Sequence, residues 1–158
     1  MIKTHKHKNY FNQGIRLLEN KKYTEAQNSF QKAIDIKPKF IPAWVYKGIC
    51  LEELQQYEEA IKCYIQAIQI NPNVTDLWYN KGTTYCKMKR YGDALTCFDK
   101  VLEIEPDNAL AKTTRALVIA IMPQMDEAIL EKPDGGDSLD FYKIRKILDD
   151  VFDYGLGW

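Results

Sequence analysis

The chain has 158 residues, 46% of them apolar, with 22 basic and 22 acidic side chains. That is the balance of a soluble globular protein, and zero net charge removes any general electrostatic pull toward nucleic acid. No stretch approaches the roughly 20 apolar residues of a membrane helix, and the first residues lack the apolar core of a secretion signal, so a cytosolic protein is expected.

Residues 1–6 read as a polar leader, with Lys3, Lys6 and Lys8 giving the start a basic character. His5 and His7 are the only histidines, and a His-x-His pair in a flexible start supports at most weak metal capture. After the leader the chain repeats itself. "YTEAQNSFQKAIDIKP" at 23–38 returns as "YEEAIKCYIQAIQINP" at 57–72 and "YGDALTCFDKVLEIEP" at 91–106, a period of 34 residues. Units are therefore expected at 7–40, 41–74 and 75–108.

Each unit opens on a helical pattern of aromatic, small and large residues at intervals of four and three: Tyr10, Gly14, Leu17; then Trp44, Gly48, Leu51; then Trp78, Gly82, Tyr85. These share one helical face, and the glycine leaves room for a close helix crossing. A second helix begins near Tyr23, Tyr57 and Tyr91 and carries Ala26, Phe30 and Ala33, or their counterparts, inward. Pro38, Pro72 and Pro106 then stop it, because proline lacks an amide hydrogen and disfavours helical geometry in the residue before it.

A fourth unit over 109–133 begins in register and decays: Ala116 replaces the glycine, "MDEAIL" echoes "YEEAI", and Lys132 stands where an aromatic is due. Pro123 falls at the expected turn. After the loop "KPDGGDS", residues 134–158 hold six aspartates against three basic residues, and 138–153 reads as an amphipathic helix. Phe141, Ile144, Ile147, Leu148, Val151 and Phe152 share its apolar face, which something must cover. It can cap the fourth unit, plug a groove of its own chain, or swap into a second copy to give a homodimer.

Catalytic constellations are lacking. The pairs Glu52–Glu53, Glu58–Glu59 and Asp149–Asp150 are neighbours about 100° apart on a helix, and solvated faces are the expected reading. "PDGGD" lacks the lysine and helix of a phosphate loop. Cys50, Cys63, Cys86 and Cys97 show no Cys-x-x-Cys spacing and read as reduced packing residues. No enzyme activity, metal or cofactor is expected.

These residues and this period resemble the tetratricopeptide repeat family, with Gln13, Lys47 and Lys81 departing from the leucine the family usually places before the glycine. The resemblance implies an all-α right-handed superhelical solenoid of antiparallel helix pairs: three full units, a degenerate fourth and a terminal helix. It also implies a protein-binding adaptor or scaffold whose first helices line a concave groove for a peptide or helix. The groove positions are Phe11, Asn12 and Ile15 in unit one, Val45, Tyr46 and Ile49 in unit two, and Tyr79, Asn80 and Thr83 in unit three. Leu110, Thr113, Thr114 and Leu117 extend that wall, and Glu52, Glu53 and Asp76 are expected on its rim. The family members that grip the carboxylate of chaperone tails do so with lysine, asparagine and arginine at places held here by Phe11, Ile15, Tyr46, Asp76 and Asn80. None is a cation, so no such tail is expected to bind. Self-assembly through the array ends or the terminal helix is the alternative.

Overall fold

The computed structural model describes the backbone of residues 5–130 and side chains within residues 5–122. Among the described residues there are seven α-helices and no strand: α1 Lys6–Glu19, α2 Tyr23–Ile36, α3 Ile41–Glu53, α4 Tyr57–Ile70, α5 Thr75–Lys87, α6 Tyr91–Ile104 and α7 Ala109–Leu130. Each helix packs on the next one in the chain, giving antiparallel pairs stacked into an array. The second helices start at Tyr23, Tyr57 and Tyr91, where the repeat places them.

The helix pairs close on the repeated glycines. A Cβ added to Gly14 would lie 2.5 Å from Phe30 Cε1, one on Gly48 would lie 2.8 Å from Tyr64 Cε1, and one on Gly82 would lie 2.8 Å from Phe98 Cε1. All three rings are wholly buried, so each glycine is the notch into which the aromatic of the following helix fits. Ala26, Ala60 and Ala94, together with Ala33, Ala67 and Val101, are likewise fully buried.

Within each unit the turn repeats. Lys21, Gln55 and Lys89 have φ of 58°, 58° and 60°, the left-handed conformation that usually calls for glycine. The amide of Lys21 donates to the Leu18 carbonyl and that of Lys22 to Leu17, and the same pair of bonds recurs at Gln55 and Gln56 and at Lys89 and Arg90. These bonds satisfy the last carbonyls of the first helix while the chain reverses. Between units, Trp44 Nε1 donates to the Pro38 carbonyl and Trp78 Nε1 to the Pro72 carbonyl, both at 2.8 Å. The tryptophans thus fix the turns as well as fill space.

Lys47 and Lys81, just before two of the notch glycines, are packed along the stack. Their ammonium groups lie over the Trp44 and Trp78 rings at 5.8 and 5.4 Å, and Lys47 also donates to Gln31 Oε1.

Three expectations are corrected. The turn at Pro123 does not form, because α7 runs unbroken from Ala109 to Leu130. An interior proline forfeits one backbone hydrogen bond, and the helix continues past it all the same. His7 belongs to α1 rather than to a flexible leader: it is 6% exposed, with its ring edge-on to Phe40 at 5.0 Å. Glu52 is not on a solvated rim. It is 5% exposed, its Oε1 accepts from the Tyr64 and Thr84 hydroxyls at 2.7 Å each, and its Oε2 pairs with Lys87 Nζ at 2.9 Å. One carboxylate therefore ties α4 and α5 to α3, with donors for both oxygens.

The helix expected over 138–153, with Phe141, Ile144, Ile147, Leu148, Val151 and Phe152, lies outside the described residues.

Candidate functional site

The first helices carry the positions expected in a groove, and the structure divides them. Asn12 is exposed, and Phe11, Ile15, Val45, Tyr46, Ile49 and Leu117 are half-buried. Tyr79, Asn80 and Thr83 are each only 8% exposed. Part of this set is spent on holding helices together. Phe11 packs edge-on to Tyr46 at 5.5 Å and Tyr46 stacks on Phe30 at 5.7 Å, joining α1, α2 and α3. The Tyr79 hydroxyl lies 3.1 Å from Thr114 Oγ1, joining α5 to α7, and Thr114 is fully buried rather than on a wall.

Among the described residues a hollow of about 220 Å³ lies open between α3 and α5. Ile41, Pro42, Val45, Tyr46 and Ile49 line it from α3, and Val74, Asp76, Leu77 and Asn80 from the start of α5. Four of the expected groove residues meet there: Val45, Tyr46, Ile49 and Asn80. Ile41, Pro42, Val74 and Leu77 were not anticipated. The signal for them lay in the residues just after each unit-ending proline, where the chain enters the next first helix.

Asp76, Asn80 and the Tyr46 phenol bring polar groups to this largely apolar lining. Asp76 is exposed and makes no ion pair among the described residues. Asn80 gives its backbone carbonyl to the Thr83 and Thr84 hydroxyls, while its carboxamide makes no hydrogen bond among the described residues. The single Thr84 proton is shared between that carbonyl and the stronger acceptor, Glu52. Small-molecule sites run to about 300–1,000 Å³. A smaller, open hollow with one carboxylate and one free amide suits a single apolar side chain with a peptide bond and a cation beside it.

Among the described residues no three His, Cys, Asp or Glu side chains converge to hold a metal ion. The four cysteines are free and buried. Burial pushes the Cys50 and Cys86 thiols up to about 12 and those of Cys63 and Cys97 up to about 11, the reverse of an activated nucleophile. Burial, then the nearby Lys37, holds His7 below the ordinary histidine range, and its Nε2 has no hydrogen-bond partner among the described residues. Burial and the Glu52 carboxylate raise Tyr64 well above a normal phenol. No described helix is long and apolar enough to cross a membrane.

Family models described as tetratricopeptide repeat match residues 7–40, 41–74 and 75–108. No curated protein sequence matches the chain. Among solved structures it is similar to the first TPR of Spaghetti (RPAP3) bound to HSP90 peptide SRMEEVD. The two share 19% identity over 76% of this chain and 95% of that one, with a TM-score of 0.70. The Sgt2 TPR domain from Aspergillus fumigatus is similar at 19% identity, over 87% of this chain and 91% of that one, with a TM-score of 0.69. YrrB, a TPR protein with an unusual peptide-binding site, shares 24% identity over 70% of this chain and 57% of that one, with a TM-score of 0.65.

Proposed function

Since the chain belongs to the tetratricopeptide repeat family through the three units of residues 7–108, we propose that it is a non-catalytic adaptor that binds a polypeptide segment along its first helices. The observation carrying this reading is the apolar hollow between α3 and α5, with Asp76 and the Asn80 carboxamide beside it. The bound segment places an apolar side chain against Val45 and Ile49, and the exposed Asn12 extends the contact onto α1. Apolar burial supplies affinity, at roughly 25 cal/mol per Å², and Asn80 sets the register of the bound backbone.

The ligand is not the acidic HSP90 peptide SRMEEVD to which the RPAP3 domain is bound. A carboxylate brought to this hollow would shed water and meet Asp76, with Phe11, Ile15 and Tyr46 offering no charged donor in return. Calorimetry with SRMEEVD should show no heat of binding, and micromolar affinity would overturn the point.

The reading is tested by affinity capture with three full-length proteins: wild type, Ile49→Lys in the hollow, and Gln66→Lys on the exposed side of α4. Polypeptides retained by wild type and Gln66→Lys but lost with Ile49→Lys support it. Equal capture by all three removes the hollow from the account.

A second reading, self-assembly, is favoured by α7, where Leu110, Ile119 and Met122 are 50%, 42% and 36% exposed. It requires a mass that rises with concentration in light scattering, and a constant monomer mass would end it.

A further inference from the structure

At about 220 Å³ the hollow between α3 and α5 holds one large side chain, and two polar groups of α5 reach it without a partner of their own among the described residues. Asn80 is 8% exposed and lines the hollow. Its backbone carbonyl accepts from the Thr83 and Thr84 hydroxyls, while its carboxamide is free. Asp76, about one helical turn earlier, lines the same hollow from an exposed position and makes no ion pair. The equivalent positions on either side do not lengthen the hollow into a trough, because Phe11 packs on Tyr46 and Tyr79 on Phe98. A docking helix lays down anchors at i, i+3, i+4 and i+7, and this surface offers space for one.

We propose that the hollow takes an extended, basic stretch of a partner polypeptide, in which one large apolar residue fills the space and a lysine or arginine two residues away meets Asp76. The inference rests on the hollow being the polypeptide-binding surface. A carboxamide has an acceptor oxygen and two N–H donors, which match the N–H and C=O of a peptide group. An extended chain presents those groups. The interior of a helix spends them on its own ladder and would leave the Asn80 carboxamide desolvated and unpaired. The spacing agrees. Side chains alternate along an extended chain, so the next one on the anchor's side is two residues on, about 6.4–6.8 Å away. Asp76 and Asn80 stand four residues apart on α5, about 6 Å along its axis. A segment laid along α5 thus brings a peptide group to Asn80 and a cation to Asp76. The carboxylate selects the charge, since an acidic residue in that place would meet it with nothing to offset the repulsion.

Two measurements on full-length protein test this together. In the first, a display library of random peptides, each about 16 residues and so able to reach about 53 Å when extended, is panned over wild type, Ile49→Lys and Asp76→Lys. Wild type should enrich peptides with a large apolar residue and a lysine or arginine two places from it. Ile49→Lys should enrich none of these, and Asp76→Lys should keep the apolar residue and exchange the cation for aspartate or glutamate. An Ile49-dependent pool without a cation at that spacing overturns the proposal and leaves the binding surface standing. A pool indifferent to Ile49→Lys, or no enrichment at all, removes both.

In the second, the most enriched peptide is synthesised with a fluorophore and titrated onto wild type, Asp76→Asn and Asn80→Ala. Losing the exposed charge pair should weaken binding by up to about fivefold, a difference that salt at about 1 M should erase. The peptide is then N-methylated at one amide at a time around its apolar anchor. At one of these positions wild type should lose about two- to tenfold in affinity, and Asn80→Ala should be unaffected by the same methyl group. Equal losses on both proteins at every amide would mean a helical ligand, or a backbone that Asn80 does not read, and would overturn the proposal.

Discussion

Replacing Gly48 by alanine asks directly whether the helix pairs are closed by aromatic rings seated on glycine. The added Cβ would sit 2.8 Å from Tyr64 Cε1 and 2.9 Å from Cζ, well inside contact distance. The ring cannot yield cheaply: it is fully buried, and its hydroxyl donates to the buried Glu52 carboxylate at 2.7 Å. Overpacking of this kind costs about 1–3 kcal/mol. If the ring shifts far enough to break the bond to Glu52, a charge-assisted hydrogen bond of about 1.5–3 kcal/mol is weakened as well. Against this stands the gain of alanine over glycine in a helix, about 1 kcal/mol. The net expectation is a loss of up to about 2 kcal/mol if the bond to Glu52 holds and of roughly 1.5–5 kcal/mol if it breaks, read from urea unfolding followed by far-ultraviolet circular dichroism. Gly92→Ala in α6 supplies the control, since nothing lies within 4 Å of its added Cβ and stability should hold or rise by up to about 1 kcal/mol. A Gly48→Ala protein that gains stability as Gly92→Ala does would refute the reasoning, because the notch would then be idle.

Gln55 adopts φ of 58°, so Gln55→Gly should relieve left-handed strain and stabilise by up to about 1 kcal/mol in the same urea assay, where a glycine mid-helix would do the opposite. The four buried thiols, raised to about 11–12, should be silent to a disulfide reagent in native protein and all react in denaturant. Rapid native labelling of any of them would contradict their burial. His7 is held neutral by burial below its ordinary value of 6.5, so the unfolded chain takes up the proton first as pH falls. Its contribution to stability is then present above pH 6.5 and lost progressively below it, and His7→Phe should flatten that part of the pH profile.

Much of the fold was legible because its determinants are local or recur at a fixed offset. Gly14, Gly48 and Gly82 announce the crossings, and Pro38, Pro72 and Pro106 announce the ends. The left-handed residues escaped notice because Lys21, Gln55 and Lys89 are not glycine, and the conformation is imposed by the hydrogen bonds of the turn around them. Burial of Glu52 depends on Thr84 and Lys87, 32 and 35 residues away. One trace of it was available in the repeat itself: Glu52 stands in register with Leu18 and Cys86, a column otherwise apolar. The site was legible as a set of helices but not as a hollow. Phe11 and Tyr79 share the register of Val45, yet rings of that size find partners in Tyr46 and Phe98, whereas Val45 is too small to fill the space before it. Continuity of α7 through Pro123 went unread because a proline signals a break wherever it falls, although losing one amide hydrogen does not by itself end a helix.

Hydrogen exchange of the full-length protein, alone and with its captured partner, bears most directly on the polypeptide-binding surface. The account predicts slowed exchange in α3 and at the start of α5, from Ile41 to Ile49 and from Val74 to Asn80, with α4 and α6 unchanged. Protection confined to α4 and α6, with the segments around the hollow unaltered, would contradict it.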